Sequence, residues 1–516
     1  MCLSKHYITS VSLLNSFCMD ICRRRFGAYI LGGFAAKAWA LPPRPKLFVL
    51  LVIEQFRPDY LDDIWAQLGR GGLRRLIENG VYFPDCRHLA FSYTSSTLAT
   101  LATGAWPAQH GIVADTWYDP AAGKPVRGSA EDLRATTLAA QIAASDSTRV
   151  FVSSLDPLEG ALFAATPRAQ LFWMNEEGRF AASGPAGAPT WLEDFNNAKP
   201  VERLRNAAWV AVGAGPGVPP LRKLTYEPAR PQEFMQLYKA SPFAQASQIE
   251  LLTELLQREQ LGQSNSFDFA AVVLASTALL GIETGARSPL MLQMTLQLDR
   301  QVEFLLGKLD DLVGPNMYNI VLAAGHGAPP APDLPLRSRM AVNGELLAQG
   351  IQQRLTQGGN GRVARYLYPF LYLDTQGFQT PEATRQAAGR AALEQPQVAA
   401  YYTAGGDCSI HNEWEKRFRN SFFPGRAGDV MLLYRPEYVE DFGLMRGISY
   451  GSLYDYDIRT PLCFYGPQFR ARVFEQPVEA VDIAPTLARA MGVASPSSST
   501  GRVLGEAFAG AEEASR

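Results

Sequence analysis

An uninterrupted apolar run, Leu47–Ile53, is the feature that most limits the fold of this chain. Consecutive apolar residues that end in the polar pair Glu54 and Gln55 are typical of a strand buried on both faces of a parallel sheet. Shorter apolar runs predict further strands at 149–153, 269–275, 319–324, 430–434 and 461–465. The spacing of these runs indicates a sheet whose strands alternate with helices.

Two longer stretches have apolar residues at helical spacing. The pattern predicts one helix over 61–79, stopped by Gly80, and another over 288–312. Strands alternating with helices predict the α/β class, with a mostly parallel central sheet and helices on both faces. Because ligands of such sheets bind at the carboxyl ends of strands, we expect one functional edge. Its members are Glu54, Thr94, 276–281, 325–326 and 450–457.

The first 40 residues differ in character from the rest of the chain. Arginines at 23–25 and Phe26 precede an apolar run at 27–36 and an Ala-x-Ala site at 38–40. This pattern predicts an export signal of the twin-arginine type, with Met19 as the true start, and its alternative is a single membrane anchor. A proline-rich linker follows at 41–45, and the remaining domain spans 46–510. We therefore predict a periplasmic or secreted protein.

The composition excludes several classes of protein. A net charge of −2 gives no basis for a nucleic-acid partner, and we expect no membrane partner beyond the export signal. No C-x-x-C pair is present, so a zinc knuckle or a thioredoxin-like site is not indicated. Cys86 and Cys408 are predicted either to form a disulfide or, with Cys463, to be buried free thiols.

Thr94 stands just ahead of a short helix of small residues. Backbone N–H groups and the helix dipole favour an anion at such a position, so Thr94 is a candidate to meet a phosphate or sulfate group. A threonine before a helix is also the usual N-cap. Both interpretations are open from these residues alone.

The segment around Thr94 resembles a known family. Tyr93-Thr94, then Thr103-Gly104, Pro107-x-x-His110-Gly111 and Trp117, is similar to the nucleophile segment of the alkaline phosphatase superfamily. The closer similarity is to bacterial phosphate-irrepressible alkaline phosphatases and nucleotide pyrophosphatase/phosphodiesterases. Further matches lie at 71–73, 191–196, 259–262, 276–281, 326–327, 428–430, 451–466 and 481–487.

This resemblance covers about 46–508 and implies a three-layer α/β/α sandwich. It also implies a cap built from insertions at about 166–261 and 328–428. Within the family the residue that matches Thr94 is the nucleophile that accepts the phosphoryl group. Two zinc ions, held by three Asp and three His besides the Thr, activate the nucleophile and stabilise the leaving group.

Most of these zinc ligands are replaced in this chain. Glu54 stands in place of the first Asp, and it is still an oxygen ligand that reaches one methylene further. The remaining replaced ligand positions are Ala278, Ile282, Gly325 and Tyr450. One metal position therefore keeps none of its three protein ligands, and a two-zinc centre is not expected. The other keeps Thr94 and His326, with Glu54 as a substitute, so we expect at most one weakly held zinc.

The substrate-binding positions also change. Asp115 stands where the family has an Asn that hydrogen-bonds a phosphoryl oxygen, and a carboxylate there would repel a phosphate dianion. The Lys and Arg of the phosphomonoesterase branch align with Asp156 and Leu158. The resemblance therefore implies a site with less positive and more negative charge than the family pattern.

The favoured hypothesis is an exported pseudoenzyme that binds a small-molecule or protein ligand in the vestigial cleft. The alternative is a divergent single-metal hydrolase of phosphate or sulfate esters, with Thr94 as its nucleophile. Each retained group also has a purely structural interpretation. Glu54 would pair with Arg57 or Arg459, His326 would be a hydrogen-bonded rim residue, and Asp457 would be structural rather than a substitute ligand.

Overall fold

The computed structural model describes residues 44–329, 340–359, 361–374, 380–436, 438–440 and 450–510. The strands are β1 Leu47–Ile53, β2 Val81–Arg87, β3 Thr116–Asp119, β4 Lys124–Arg127, β5 Arg149–Ser154, β6 Ala169–Met174, β7 Phe180–Ser183, β8 Ala208–Trp209, β9 Arg222–Lys223, β10 Asp268–Leu274, β11 Tyr318–Ala324, β12 Met340–Val342, β13 Arg362–Leu367, β14 Phe370–Asp374, β15 Val398–Thr403, β16 Val430–Tyr434, β17 Tyr438–Glu440, β18 Arg459–Tyr465, β19 Arg472–Val473 and β20 Val478–Glu479.

The helices are α1 Pro58–Ile64, α2 Leu73–Asn79, α3 Thr94–Thr103, α4 Pro107–His110, α5 Leu138–Ile142, α6 Pro157–Ala164, α7 Trp191–Ala198, α8 Pro231–Lys239, α9 Pro242–Arg258, α10 Ser276–Thr284, α11 Pro289–Leu312, α12 Gly344–Gln357, α13 Pro381–Leu393, α14 Glu413–Ser421, α15 Asp455–Ile458 and α16 Ile483–Met491. Within these ranges no helix is both long and apolar enough to cross a membrane. The predicted export signal and residues 41–43 of the predicted linker lie outside the described residues.

The central sheet confirms the predicted α/β class. Its strand order is β19-β2-β18-β11-β1-β10-β5-β6-β7, with β20 paired to β2. The pairs of β1 with β10 and β11 are parallel in register, as are β10 with β5 and β5 with β6. Only β18 and β7 pair antiparallel with their neighbours. The sheet is therefore mostly parallel, as expected.

Strand β1 lies at the centre of this sheet, and every one of its residues is buried. Alternate side chains enter two different cores, with Val49 and Leu51 on one face and Leu50 and Val52 on the other. A strand flanked by parallel neighbours and covered on both faces has no position for a polar side chain. The apolar run therefore ends where the sheet ends, at Glu54.

The single helix predicted for 61–79 is wrong. The chain forms α1 and α2 with a turn between them, because Asp299 of α11 accepts hydrogen bonds from the backbone N–H groups of Gly69 (2.9 Å) and Leu73 (2.8 Å). A Cβ on Gly72 would lie 2.3 Å from Asp299 Oδ1, so the close approach requires glycine there. The predicted helix over 288–312 is confirmed as α11, with Ser288 as its N-cap.

The two segments predicted as insertions have different placements. Within 166–261, β6 and β7 extend the central sheet and α9 packs on α11, so this segment is not all cap. Residues 362–434 contain a separate four-stranded sheet of order β13-β14-β16-β15, which α12 and α13 cover. The strand predicted at 430–434 exists as β16 but belongs to this second sheet.

We expect Asp299→Ala to lower the free energy of unfolding by about 2–4 kcal/mol, because it removes the acceptor of two backbone N–H groups that pack against α11. Asp299→Asn keeps one acceptor oxygen and should lose about half as much. Urea denaturation of both variants measures the difference. Equal stability of Asp299→Ala and the unsubstituted chain would contradict this account of the helix break.

Candidate functional site

The carboxyl ends of β1 and β11 bring two of the predicted site residues together. Glu54 follows β1 directly, and His326 follows Gly325 at the end of β11. Since β1 and β11 are neighbours in register, both side chains emerge at the same edge of the sheet. Helix α3 begins at Thr94 beside them, and Tyr450 completes the group.

Thr94 is the first residue of α3, and Tyr93 is its N-cap. The Thr94 side chain makes no capping hydrogen bond, so the N-cap interpretation is wrong. Instead its hydroxyl donates to Glu54 Oε2 at 3.1 Å. Thr94 is partly exposed, whereas Glu54 is fully buried.

Glu54 also faces His326, which is fully buried. His326 Nε2 lies 3.2 Å from Glu54 Oε2, an ion-pair distance at an angle too poor for a hydrogen bond. Nδ1 donates to the Gly327 carbonyl at 2.6 Å, which directs Nε2 at the carboxylate. Burial alone would lower the pKa of His326, but the Glu54 carboxylate outweighs this effect and the pKa is raised.

Neither arginine proposed as an ion-pair partner reaches Glu54. Arg57 pairs with Asp59 at 2.6 Å, and Arg459 lies 3.9 Å from Asp85. That structural interpretation of Glu54 is therefore wrong.

Tyr450 stacks on the His326 ring at 4.0 Å between ring centroids, with 7° between the planes. Its phenolic oxygen lies 3.3 Å from Thr94 Oγ1. A tyrosine that replaces a ligand of the family thus covers one face of the histidine and contacts the hydroxyl. Burial, followed by the nearby Asp115 carboxylate, raises the pKa of Tyr450, so the phenol stays protonated at neutral pH.

Gly325 has no side chain, and this leaves room for the long side chain of Glu54. A Cβ on Gly325 would lie 2.0 Å from Glu54 Oε1 and 2.5 Å from its Cδ. The longer side chain at 54 therefore fills the space in which a side chain at 325 would begin. One long carboxylate occupies a region where the family pattern has two shorter ones.

Helix α10 carries two of the other replaced positions, Ala278 and Ile282. Thr277 at its start donates to the Glu54 carbonyl, which holds α10 against the end of β1. Gln55, with φ of 56°, lies in the space left by Gly281, where a Cβ would be 2.1 Å from its Oε1. Gln55 therefore packs against α10 at Gly281.

Asp115 lies at the amino end of α3, where its Oδ1 accepts from the Ser95 backbone N–H at 2.7 Å. The chain therefore places its own carboxylate at the helix end that favours an anion. Burial raises the pKa of Asp115, and the charge of Glu54 adds to the effect. Burial and then Glu54 likewise raise the pKa of Glu159 in α6.

Asp156 and Leu158 do not supply positive charge to the site. Asp156 caps α6 by accepting from the Leu158 N–H at 2.8 Å, and it pairs with Arg127 at 2.8 Å. The acidic side chains that contact the start of α3 are Glu54, at the Thr94 hydroxyl, and Asp115, at the Ser95 N–H.

The remaining histidines of the domain serve elsewhere. His88 contacts Thr460, His110 contacts Thr100, and His411 contacts Glu415. Asp457 accepts from both the N–H and the hydroxyl of Ser452 at 2.8 and 2.5 Å, which is a turn-forming role. Cys86, Cys408 and Cys463 are free and buried, so Cys86 and Cys408 do not form a disulfide.

The residues at this edge do not fit a two-zinc centre. Ala278, Ile282 and Gly325 offer no side-chain donor, and Tyr450 is stacked on His326. Across the part of the chain that the structure describes, no group of three or more His, Cys, Asp or Glu side chains is arranged to hold a metal ion. Glu54, Thr94 and His326 do converge on one point, with one carboxylate and one imidazole among them.

Comparisons with known proteins agree with this fold. The family model for type I phosphodiesterase/nucleotide pyrophosphatase matches residues 48–441. The chain is 24% identical to alkaline phosphatase PafA of Elizabethkingia meningoseptica, over 92% of this chain and 97% of that protein. It is 26% identical to alkaline phosphatase PhoV of Synechococcus elongatus, over 89% and 92%.

The crystal structure of wild-type PafA superposes with a TM-score of 0.77 at 23% identity, covering 90% of this chain and 99% of that one. The fold is that of the alkaline phosphatase superfamily. Within it, this chain belongs to the type I phosphodiesterase/nucleotide pyrophosphatase family.

Three contacts at the site were not predicted from the sequence. Tyr450 stacks on His326, Asp115 accepts a hydrogen bond at the start of α3, and burial and then the charge of Glu54 raise the pKa of Glu159. Each of these joins residues that are separated in the chain. Glu159 carries no motif signal, because it is an ordinary acidic residue in the first turn of α6. The sequence indications of an acidic site were Asp115, Asp156 and Leu158.

We expect Gly325→Ala to destabilise the chain by about 1–3 kcal/mol, because its new methyl group overlaps the Glu54 carboxylate. In a Glu54→Asp background the same substitution should cost less, since the shorter side chain vacates that space. Urea unfolding of the two single variants and the double variant gives the interaction free energy. Additive effects would show that the two positions are independent.

Asp457 generates a pH prediction. Burial raises its pKa from 3.8 to about 6, so the folded state binds this proton more tightly than the unfolded state. Protonated Asp457 therefore stabilises the folded state, and this contribution is fully present below about pH 4. As the pH rises through 6 the free energy of unfolding falls by about 2–3 kcal/mol.

Asp457→Asn should remove this part of the pH dependence while it keeps an acceptor for Ser452. The measurement is the stability difference between the two proteins from pH 4 to pH 7. A difference that does not change with pH would refute the raised pKa.

Proposed function

We propose that this chain is an exported member of its family that no longer performs two-zinc phosphoryl transfer and instead binds a ligand in the vestigial cleft. The observation that carries the proposal is the loss of donor side chains at Ala278, Ile282 and Gly325, with Tyr450 at a fourth position. A pair of divalent cations needs several carboxylate or imidazole ligands at fixed strand ends. With respect to the family reaction, the chain is a pseudoenzyme.

The charge around Thr94 supports the same proposal. A phosphate dianion at Thr94 would approach the Glu54 carboxyl, which accepts the Thr94 hydroxyl at 3.1 Å, and the Asp115 carboxyl at the amino end of α3. Asp115 already accepts the Ser95 N–H that could otherwise bind a phosphoryl oxygen. Like charges at short range in a partly desolvated site repel strongly, so a dianionic ester is a poor ligand.

Export rests on the sequence pattern of residues 1–40, in which consecutive arginines precede an apolar run and an Ala-x-Ala site. The ligand in the proposal is a small molecule or a protein segment that enters the cleft at Thr94. Neither a nucleic acid nor a membrane surface is part of it, since a net charge of −2 offers no basic surface.

A single-metal hydrolase is the second candidate, and the convergence of Glu54, Thr94 and His326 favours it. In that case one zinc would be held by Glu54 and His326, with the Thr94 oxygen and water completing its coordination. The metal would lower the pKa of the Thr94 hydroxyl and so activate it as a nucleophile. The relatives named as alkaline phosphatases give the substrate class, phosphate esters.

We expect the full-length chain, supplied with excess zinc, to hydrolyse p-nitrophenyl phosphate and bis(p-nitrophenyl) phosphate no faster than its Thr94→Ala variant. The loss of the second metal's ligands is the physical reason. Steady-state release of p-nitrophenol measures both rates. Zinc-dependent hydrolysis that exceeds the Thr94→Ala rate by about 10²-fold or more would overturn the pseudoenzyme and support the single-metal hydrolase.

A further inference from the structure

The Thr94 hydroxyl lies against a carboxylate at a place where the family pattern has a metal ion. Thr94 Oγ1 donates to Glu54 Oε2 over 3.1 Å, and His326 Nε2 approaches the same oxygen at 3.2 Å. Glu54 and His326 are completely buried, whereas Thr94 is partly exposed. A cleft-facing hydroxyl, a base within hydrogen-bond reach and a third group beside that base form the general arrangement of an activated nucleophile.

We propose that Thr94 is a metal-independent nucleophile toward uncharged carboxylic esters, with Glu54 as its general base. The proposal goes beyond ligand binding, because a ligand of this class in the cleft would be cleaved. It follows from the disagreement between the implied zinc centre and the residues present. The proton acceptor for Thr94 is a side chain of the chain itself.

The reaction balances without any added oxidant, reductant or metal. Thr94 Oγ1 bonds to the ester carbonyl carbon while its proton passes to Glu54 Oε2. The bond from that carbon to the alcohol oxygen then breaks, and the leaving oxygen takes the proton from Glu54. Water next attacks the acyl–Thr94 ester and gives a proton to Glu54. The acid departs, Thr94 Oγ1 regains this proton, and the net reaction is ester hydrolysis.

Tyr450 supplies the other group that the step needs. Its phenolic oxygen is 3.3 Å from Thr94 Oγ1, so an O–H donor lies next to the attacking atom. Negative charge develops on the carbonyl oxygen as Thr94 attacks, and the neighbouring phenol would stabilise it by turning its O–H toward that oxygen. The stack of Tyr450 on His326 holds the phenol in place.

The class of ester follows from the charges. Thr94 Oγ1 donates to the buried Glu54 carboxyl at 3.1 Å, and the Asp115 carboxyl accepts the Ser95 N–H at 2.7 Å. A phosphate or sulfate ester brings negative charge to that region, whereas a carboxylic ester is neutral before attack. The same carboxylates that disfavour the family's substrate therefore tolerate an uncharged ester.

The test uses the full-length chain after treatment with EDTA, with p-nitrophenyl acetate as the probe. Thr94→Val removes the hydroxyl at nearly constant shape, and Glu54→Gln keeps a hydrogen-bond acceptor but no base. Thr94→Ser keeps a nucleophile, and Thr136→Val is the matched control at an exposed threonine. Far-UV circular dichroism and thermal melting confirm that each variant is folded.

We expect chelated protein to hydrolyse the acetate, and Thr94→Val and Glu54→Gln to be slower by about 10²-fold. Thr136→Val should retain the full rate, and Thr94→Ser, which keeps a hydroxyl, should be faster than Thr94→Val. Peptide mass spectrometry of acid-quenched protein should find an acetyl ester on Thr94 and none on that peptide in Thr94→Val.

Equal rates in the chelated chain and Thr94→Val, or hydrolysis that requires added zinc, would overturn the proposal. Failure of the pseudoenzyme proposal would instead appear as zinc-dependent hydrolysis of the phosphate substrates. The two assays therefore distinguish the failure of one proposal from the failure of the other.

Discussion

The site depends on the contacts that the Glu54 carboxylate makes. It follows the central strand of the sheet, accepts the Thr94 hydroxyl at 3.1 Å, faces His326 at 3.2 Å and lies where a Gly325 side chain would begin. Three separate segments of the chain, at 54, 94 and 325–326, therefore meet at one buried carboxyl group. A buried charge must have partners, and Glu54 has one hydroxyl and one imidazole as its polar contacts.

This arrangement explains why several substitutions occur together. A glutamate at 54 is compatible with glycine at 325 because the two positions share one volume. Tyr450 stacks on His326, and its phenolic oxygen lies 3.3 Å from Thr94 Oγ1. Asp115 accepts the hydrogen bond of the Ser95 N–H, so a carboxylate of the chain itself occupies the amino end of α3. Together these side chains form a connected set of contacts within the chain, although the resemblance aligns most of the ligand positions with other residue types.

Much of the fold was predictable because the spacing of apolar residues within one segment indicates whether that segment is a strand or a helix. Strand β1 and helix α11 each carry a clear pattern over their own length, and both were predicted within a residue or two. The break between α1 and α2 was not predictable, since it depends on Asp299, more than 200 residues away. Strand β16 has the expected bounds but lies in the second sheet, because strand partners are chosen by tertiary packing.

For the site, the strand-end rule identified Glu54, Thr94, His326 and Tyr450 as neighbours, and the structure brings them together. The geometry within that set depends on side-chain length, stacking and helix placement, which no single segment encodes. The measurement that tests the account most directly is the zinc content of the full-length chain after equilibrium dialysis against zinc, by elemental analysis. The account predicts at most one zinc per chain. Two tightly bound zinc ions per chain would contradict it.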